Sequence, residues 1–353
     1  MKRKIIYYPT IIVPSEWAKW TVLYFDKVSS IIPKGVDYKE VVNPWNEKDF
    51  KIMEILMEEG EFEPTDPQHL LSQREKWANR EILIKEFKKI VTSNKFQSII
   101  NKNWKRSSII WKVHWDKVSN GIYEFLHEQG LAEKDKNSWN WILMEEKTSL
   151  LYMSLLAKYL ADVNPDFTVP GTDSNEYEKI IYGAFSHQNS FISLDAKFMN
   201  VLPAPASDVP ITNILKFKRK RRDELLYFRE VIDRVYQDIS MAENEGEIKQ
   251  IVLSYKEKIE REVTKLRKMM KEEHIKTVLG TFKSLLDIKS PVLLPTLGVS
   301  LGGLPLEVKI PILGITATIQ IGYYLVDEIN KQRAKLRESP FAYLYCAEKE
   351  GVI

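Results

Sequence analysis

The sequence predicts an α+β fold in which α-helices predominate. Apolar residues recur every three or four positions over 147–162 and again over 225–239, which is the spacing of one helix face. Short runs at 4–13, 107–115 and 139–144 are rich in Ile, Val, Tyr and Trp, a composition typical of strands. We therefore expect an N-terminal α+β body, a long antiparallel helical hairpin and an apolar C-terminal segment that contains Gly and Pro.

The α+β body is expected to cover residues 1–205 and to begin with the first of these strands, in which Pro9 indicates a sheet edge or a strand end. Ser15 can cap a helix that runs to Pro33. Further helices are expected over 46–60, 66–100, 121–130, 147–162 and 177–185, and a further strand over 190–201. The proline-rich connector VLPAPASDVP, 201–210, ends the body.

A helical hairpin is expected over 206–289. Its first arm carries a heptad seam formed by Leu225, Phe228, Ile232, Val235 and Ile239. A turn at 243–246 separates this arm from a second arm, 247–288, which would be roughly 60 Å long as a continuous helix. The two seams are expected to face each other, and the far end of the longer arm must pack on another part of the protein.

The third predicted region, 290–353, contains the apolar segment and a C-terminal helix. Between residues 290 and 326 the only ionisable side chains apart from tyrosine are Glu307 and Lys309. The stretches on either side of these two charges, 290–306 and 310–326, are uncharged. Each is shorter than the roughly 20 residues that span a bilayer, and prolines and glycines interrupt both. We interpret the segment as a buried hairpin or a subunit contact, with insertion into lipid as the alternative.

Composition and charge indicate a soluble chain in a reducing compartment. Of the 353 residues 44% are hydrophobic and 29% charged, and the net charge of +3 argues against a protein that binds polyanions over its whole surface. The single cysteine, Cys346, rules out an intramolecular disulfide and a cysteine-based zinc site. The basic start lacks a small-residue cleavage site, so a cytoplasmic location is predicted, with peripheral membrane association as the alternative.

Motifs for metals and cofactors are missing from the sequence. The five histidines form no HxH or HxxxH pair, and no phosphate-binding GxxxxGK[ST] or GxGxxG loop is found. No metal site and no cofactor are therefore predicted. His114, between Trp111 and Trp115, is expected to pack in a strand.

One enzyme pattern is present. Asp195 and Lys197 form DAK in a predicted strand, and Asp166 follows Pro165 about thirty residues earlier. This looks like the PD…DxK pattern of restriction-endonuclease-like nucleases, in which two carboxylates hold Mg²⁺ and the lysine stabilises the attacking water. Asp173 could replace Asp166, but we interpret Asp173 as the cap of the helix over 177–185.

A basic run is the strongest local charge feature, and it could contact nucleic acid or anionic lipid: Lys216, Lys218, Arg219, Lys220, Arg221 and Arg222. Asp223, Glu224 and Glu230 follow at once, so pairs at i,i+3 and i,i+4 would neutralise part of this charge. A solvated helix face is the alternative. Tryptophans on predicted helix and strand faces are expected to build cores rather than base-stacking platforms: Trp17, Trp20, Trp111, Trp115, Trp139 and Trp141.

Several motifs spread over the chain resemble an uncharacterised bacterial protein family of unknown function: IIYYP, WAKWTVLYFDKVSSIIP, LLYMSLLAKYLAD with GTDSNEY, and KFKRKRRDELLYFR. The resemblance implies no activity, cofactor or catalytic residue. The apolar end with SPFAYLYCAEKE is also similar in general character to accessory proteins of bacterial phage-defence loci.

Three functions are compatible with these features. The favoured one is a non-enzymatic interaction or assembly protein of a bacterial accessory system such as phage defence, with a protein partner or further copies of the chain. The alternatives are a membrane-acting effector that uses 290–326, and an Mg²⁺-dependent nuclease that uses Asp195 and Lys197. Nucleic acid is a further candidate partner through the basic run.

Overall fold

The chain divides into two units, Met1–Ala184 and Phe185–Ile353. The computed structural model describes residues 3–36, 38, 41–68, 77–107, 110–164, 167–173, 202–241, 247, 250–251, 253–255, 257–258, 261, 339 and 341–353. The predicted helix over 177–185, the strand over 190–201, most of the second hairpin arm and the apolar segment lie outside these residues. The domain boundaries predicted at 205 and 289 stay predictions.

The elements of the first unit are, in chain order, β1 (Arg3–Tyr7), α1 (Ser15–Tyr24), β2 (Lys27–Ser30), α2 (Glu47–Glu58), α3 (Trp77–Val91), α4 (Asn94–Ile99), β3 (Trp111–His114), α5 (Asn120–Glu128), β4 (Ala132–Lys134), β5 (Trp141–Met144), α6 (Glu146–Val163) and β6 (Phe167–Gly171). Together with the helices of the second unit, they confirm a predominantly helical α+β fold with small sheets.

A parallel sheet has β1 at its centre, with β2 on one side and β6 on the other. Single bridges from Val28 to Phe62 and from Ile31 to Thr65 add the segment 62–65 beside β2, again in parallel. The strand order is therefore 62–65, β2, β1, β6. The direction of strand addition reverses between β1 and β6, as in doubly wound sheets.

The predicted helix from Ser15 to Pro33 is wrong in its second half. α1 ends at Tyr24, and Phe25 has an extended backbone with φ −110° and ψ 155°. The following residues form β2, in which Val28 and Ser29 pair with Ile5 and Ile6 of β1. Pairing with the central strand therefore decides the conformation of a run whose apolar residues fit a helix as well as a strand.

A second, antiparallel sheet has the order β3-β5-β4. A single helical stretch was predicted over 66–100, but its described part forms two helices, α3 and α4. Ser93 separates them, because its Oγ accepts a hydrogen bond from Phe96 N at 3.2 Å and caps α4. α5 leads into β4 through Gly130, whose φ of +69° favours glycine.

Helix α6 is the core helix of this unit and packs against α3 and β6. The sequence pattern predicts an amphipathic helix, but almost every side chain from Thr148 to Val163 is buried. Its N-terminus is capped by the carboxylate of Glu145, which is 1% exposed. That carboxylate accepts hydrogen bonds from Thr148 N at 2.7 Å, Thr148 Oγ1 at 2.8 Å and Asn101 N at 3.1 Å.

Substitution of Glu145 by Ala is expected to destabilise the protein by about 2–3 kcal/mol, because it leaves two buried donors unsatisfied and removes the cap of α6. Urea unfolding measures this loss. The neighbouring variant Glu146→Ala serves as control and is expected to change the free energy of unfolding by less than about 0.5 kcal/mol. Equal effects of the two substitutions would contradict a capping role for Glu145.

In the second unit the described helices are α7 (Ile211–Lys220), α8 (Arg222–Met241) and α9 (Ala342–Lys349). The ring of Tyr343 lies 5.3 Å from that of Phe217 and 6.3 Å from that of Phe228, so α9 packs on both of the other helices. Of the predicted heptad seam, Leu225, Phe228 and Ile232 are buried. The hydroxyl of Tyr255, in the predicted second arm, donates to Asp238 Oδ2 at 2.5 Å.

Candidate interaction surface

The loop between β4 and β5, residues 135–140, is held by its own hydrogen bonds. Asp135 N donates to Trp141 O at 3.0 Å, and Asn137 N donates to Asp135 Oδ1 at 2.9 Å. From β3, Lys112 Nζ lies 2.7 Å from Asp135 Oδ2. The hydrogen bond from Lys112, together with that from Asn137 N, lowers the pKa of the Asp135 carboxyl. Asp135 therefore fixes both the turn and its attachment to the sheet.

Trp139 lies at the tip of this loop with 88% of its surface exposed. The prediction that Trp139 packs in a core is wrong, because β5 begins two residues later, at Trp141. Trp104 shows the opposite arrangement: it is buried and its Nε1 donates to Gly130 O at 2.8 Å. A large apolar side chain exposed on an ordered turn is typical of a binding surface.

Cationic side chains occur on β4, on the loop, and on the segments from which Lys105 and Lys112 reach Glu133 and Asp135. We call this set the β4 surface, and its members are Lys102, Lys105, Arg106, Lys112, Lys134, Lys136 and Trp139. The six cations are exposed, and Lys134 Nζ lies 5.3 Å from the centre of the Trp115 ring. The two carboxylates of residues 132–140 are each paired: Glu133 with Lys105 at 2.6 Å and Asp135 with Lys112 at 2.7 Å. The other four cations lie outside these two pairs.

In the second unit, the basic run is partly used for internal contacts. Lys218 is buried, Lys220 Nζ lies 2.9 Å from Glu350 Oε2, and Arg221 Nη2 lies 2.6 Å from Glu350 Oε1. Burial raises the pKa of Glu350, but the hydrogen bonds from Lys220 and Arg221 outweigh this effect and lower it.

Two further observations bear on the predicted polyanion contact of this run. The predicted local pairing occurs between Arg221 and Glu224 at 3.2 Å. Lys216, Arg219 and Arg222 are exposed. A polyanion contact through the run stays a prediction, and the internal contacts reduce the charge that it could offer.

The carboxyl edge of the parallel sheet is the usual ligand position in folds of this order, at the point between β1 and β6. There the hydroxyl of Tyr7 donates to Asp173 Oδ1 at 2.9 Å. At the first residue of α1, Ser15 N donates to Asp49 Oδ1 at 2.8 Å. A carboxylate therefore occupies the helix N-terminus at which a phosphate would bind, and it repels a second anion. Among the described residues, this edge does not have the features of a nucleotide site.

The nuclease candidates Asp166, Asp195 and Lys197 lie outside the described residues. Asp173, the alternative candidate, lies within the described residues, and its Oδ1 accepts the hydrogen bond from the Tyr7 hydroxyl. The sequence also contains Gly298-Val-Ser-Leu-Gly302, whose spacing is that of a nucleophile elbow, again beyond the described part. His114 is buried, accepts a hydrogen bond from Asp116 N at 3.2 Å and packs on the Trp141 ring, in agreement with the predicted role in strand packing.

No group of three or more His, Cys, Asp or Glu side chains that could hold a metal ion is present among the described residues. Within the same residues, no helix has the length and apolar character needed to cross a membrane.

The sequence signal that could have revealed the β4 surface was present. The cluster Asp135, Asn137, Ser138 and Asn140 between two strand-like runs is typical of a turn, and a turn at this position exposes Trp139. The pairing of Arg221 with Glu350 had no such signal, because the two residues are 129 positions apart.

Comparison with known proteins places the chain in a family. No curated protein and no solved structure matches the chain. Residues 69–351 match a family described as a family of unknown function, DUF6236, and this range contains β3, β4, β5 and the whole β4 surface. Since the match covers well over half of the chain, the expected membership of an uncharacterised family is confirmed: the protein belongs to the family of unknown function DUF6236.

Proposed function

We propose that the protein is a binding protein that holds the phosphate backbone of a nucleic acid on the β4 surface. The observation that carries the proposal is the set of six exposed cations of the β4 surface, of which Lys105 and Lys112 are paired with the carboxylates of β4 and its loop. Each lysine or arginine that neutralises a phosphate releases condensed counterions, which is the main source of affinity in such contacts.

The strands, rather than α5, provide this contact. Glu124 and Glu128 occupy the exposed face of α5, so that this helix would repel phosphates. Lys134 and Lys136 instead belong to the hairpin formed by β4 and β5. β4 is an edge strand of the sheet β3-β5-β4, so its exposed side chains can lie along a nucleic-acid strand.

The functions predicted for other parts of the chain stay predictions. Assembly through 290–326, its membrane alternative and a nuclease at Asp195 all depend on residues outside the described part. A nucleic-acid contact at the β4 surface is compatible with each of them, because it requires only residues of the first unit.

The double variant Lys134→Glu, Lys136→Glu is expected to weaken binding to labelled oligonucleotides by at least about tenfold at about 0.1 M salt. The slope of log affinity against log salt should also fall by about two, one for each lost phosphate contact. Fluorescence anisotropy at several salt concentrations measures both quantities, with single-stranded and duplex DNA.

A matched control reverses the charge of two exposed lysines elsewhere in the same unit. The variant Lys34→Glu, Lys48→Glu changes the net charge by the same amount, and both lysines are exposed. It should weaken binding by less than about twofold, because general repulsion between distant charges is screened at this ionic strength. Equal loss in the two double variants, or no binding by the unmodified protein, would refute the proposal.

A further inference from the structure

Trp139 is a second feature of the β4 surface, independent of its charge. Its indole is 88% exposed, and its neighbours Ser138 and Asn140 are small polar residues of the same turn. Lys134 and Lys136 are exposed. Lys136 belongs to the same turn as Trp139, and Lys134 precedes that turn on β4. An exposed aromatic face with cations a few residues away can stack a nucleobase while the adjoining phosphates are neutralised.

Hydrogen bonds also fix the backbone of the turn before any partner arrives. Asp135 accepts hydrogen bonds from Asn137 N and from Lys112 Nζ, and Ser138 N donates to Asp135 O at 3.4 Å. The backbone beside Trp139 is therefore ordered in the free protein, which reduces the conformational entropy lost on binding.

We infer that the ligand of the β4 surface is single-stranded nucleic acid, with an unpaired base stacked on Trp139 and the neighbouring phosphates on Lys134 and Lys136. This inference rests on the proposed function, and it adds the form of the nucleic acid. In a duplex both faces of each internal base are already covered by neighbouring pairs, so the indole can stack only where bases are unpaired. The stacking tolerates any base, because every base has a π face.

Affinity for an oligothymidine and for a duplex with the same number of phosphates tests the inference. The unmodified protein should bind the single strand more tightly, and Trp139→Ala should weaken that binding by roughly 10- to 100-fold. Duplex binding should change by less than about twofold, because phosphate contacts alone supply it. Trp139→Phe should retain most of the single-strand affinity, since it keeps an aromatic face.

Trp45 provides the matched control. It is 94% exposed and lies on the loop before α2, where Trp45 N donates to Asn43 Oδ1 at 3.0 Å. Trp45→Ala should leave both affinities unchanged. Intrinsic tryptophan fluorescence tests the stacking directly. The oligothymidine should quench the fluorescence of the unmodified protein, and this quenching should disappear in Trp139→Phe although that variant still binds.

The possible failures are distinguishable. If the unmodified protein binds neither nucleic acid, the proposed function fails together with this inference. The protein could bind both single-stranded and duplex nucleic acid in a salt-dependent way. If Trp139→Ala leaves both affinities unchanged, only the stacking is overturned. Concentration-dependent self-association that requires Trp139, seen by light scattering without oligonucleotide binding, would assign the indole to a protein pocket and overturn both.

Discussion

Replacement of Lys117 by Met is expected to stabilise the protein by about 2–5 kcal/mol at pH 7. The Lys117 side chain is 4% exposed, and burial alone lowers the pKa of its ammonium from 10.5 to about 7. Such a shift corresponds to roughly 5 kcal/mol, an upper bound because buried sites admit water and relax. Met keeps the unbranched stem, and the hydrogen bond that Tyr152 Oη donates to Lys117 O at 2.7 Å involves only the main chain.

The stabilisation should depend on pH in a defined direction. The unfolded chain binds this proton below about pH 10.5, whereas the folded chain binds it only below about pH 7. The unmodified protein therefore loses stability as the pH falls between these values, and the advantage of the Met variant grows over the same window. Below about pH 7 the difference stays constant, because both states of the unmodified protein are then protonated.

Urea unfolding at about pH 7 and about pH 10 measures this difference in free energy. Lys136→Met removes an exposed ammonium from the same unit and should change stability by less than about 0.5 kcal/mol at either pH. A Lys117→Met variant that is no more stable than the unmodified protein at pH 7 would show that the ammonium is solvated or paired in the folded state.

Long periodic helices were the part of the fold that the sequence predicted best. α6 and the start of α8 have apolar residues at helical spacing over several turns, and a spacing repeated so often rarely arises by chance. The burial of α6 on nearly all faces was not predicted, because its serines and Lys158 read as polar surface positions. Burial of those residues depends on α3 and β6, which contribute from distant parts of the sequence.

The parallel sheet was harder to predict. β2 has only four residues and follows a helix without any glycine or proline between them. Nothing local separates Val28 and its neighbours from the preceding helix, and only pairing with β1 makes the segment a strand. The segment 62–65 lies beyond a predicted helix end at Gly60, but no sequence pattern places it beside β2.

For the candidate site, residue types were predictable and their surroundings were not. The basic run was found because its six cations are adjacent in sequence, yet its best partner, Glu350, comes from the far end of the chain. The β4 surface was missed for the opposite reason. Its cations come from the loop before β3, from β3, from β4 and from the loop after β4, and only the antiparallel pairing brings Lys112 to Asp135.

Gly171→Ala is expected to destabilise the protein by about 2–3 kcal/mol, because the position has no room for a methyl group. An ideal Cβ would lie 2.5 Å from Ile5 Cδ1 and 2.9 Å from Trp17 Cζ2, well inside van der Waals contact. Ile5 is buried at the centre of the parallel sheet, so its side chain has little space to move. The Trp17 ring also packs against the Tyr7 ring at a tilt of 54°, with the ring centres 4.8 Å apart, and cannot withdraw without breaking that contact.

The same clash reaches the carboxyl edge of the sheet, because Tyr8 N donates to Gly171 O at 3.1 Å and Tyr7 holds Asp173. Urea unfolding measures the loss of stability, and Gly121→Ala is the matched control. No atom lies within 4 Å of an ideal Cβ at Gly121, in the first turn of α5. That variant should be neutral or up to about 1 kcal/mol more stable, since Ala favours a helix over Gly. If Gly171→Ala were tolerated equally well, the tight packing of β6 against Ile5 and Trp17 would be wrong.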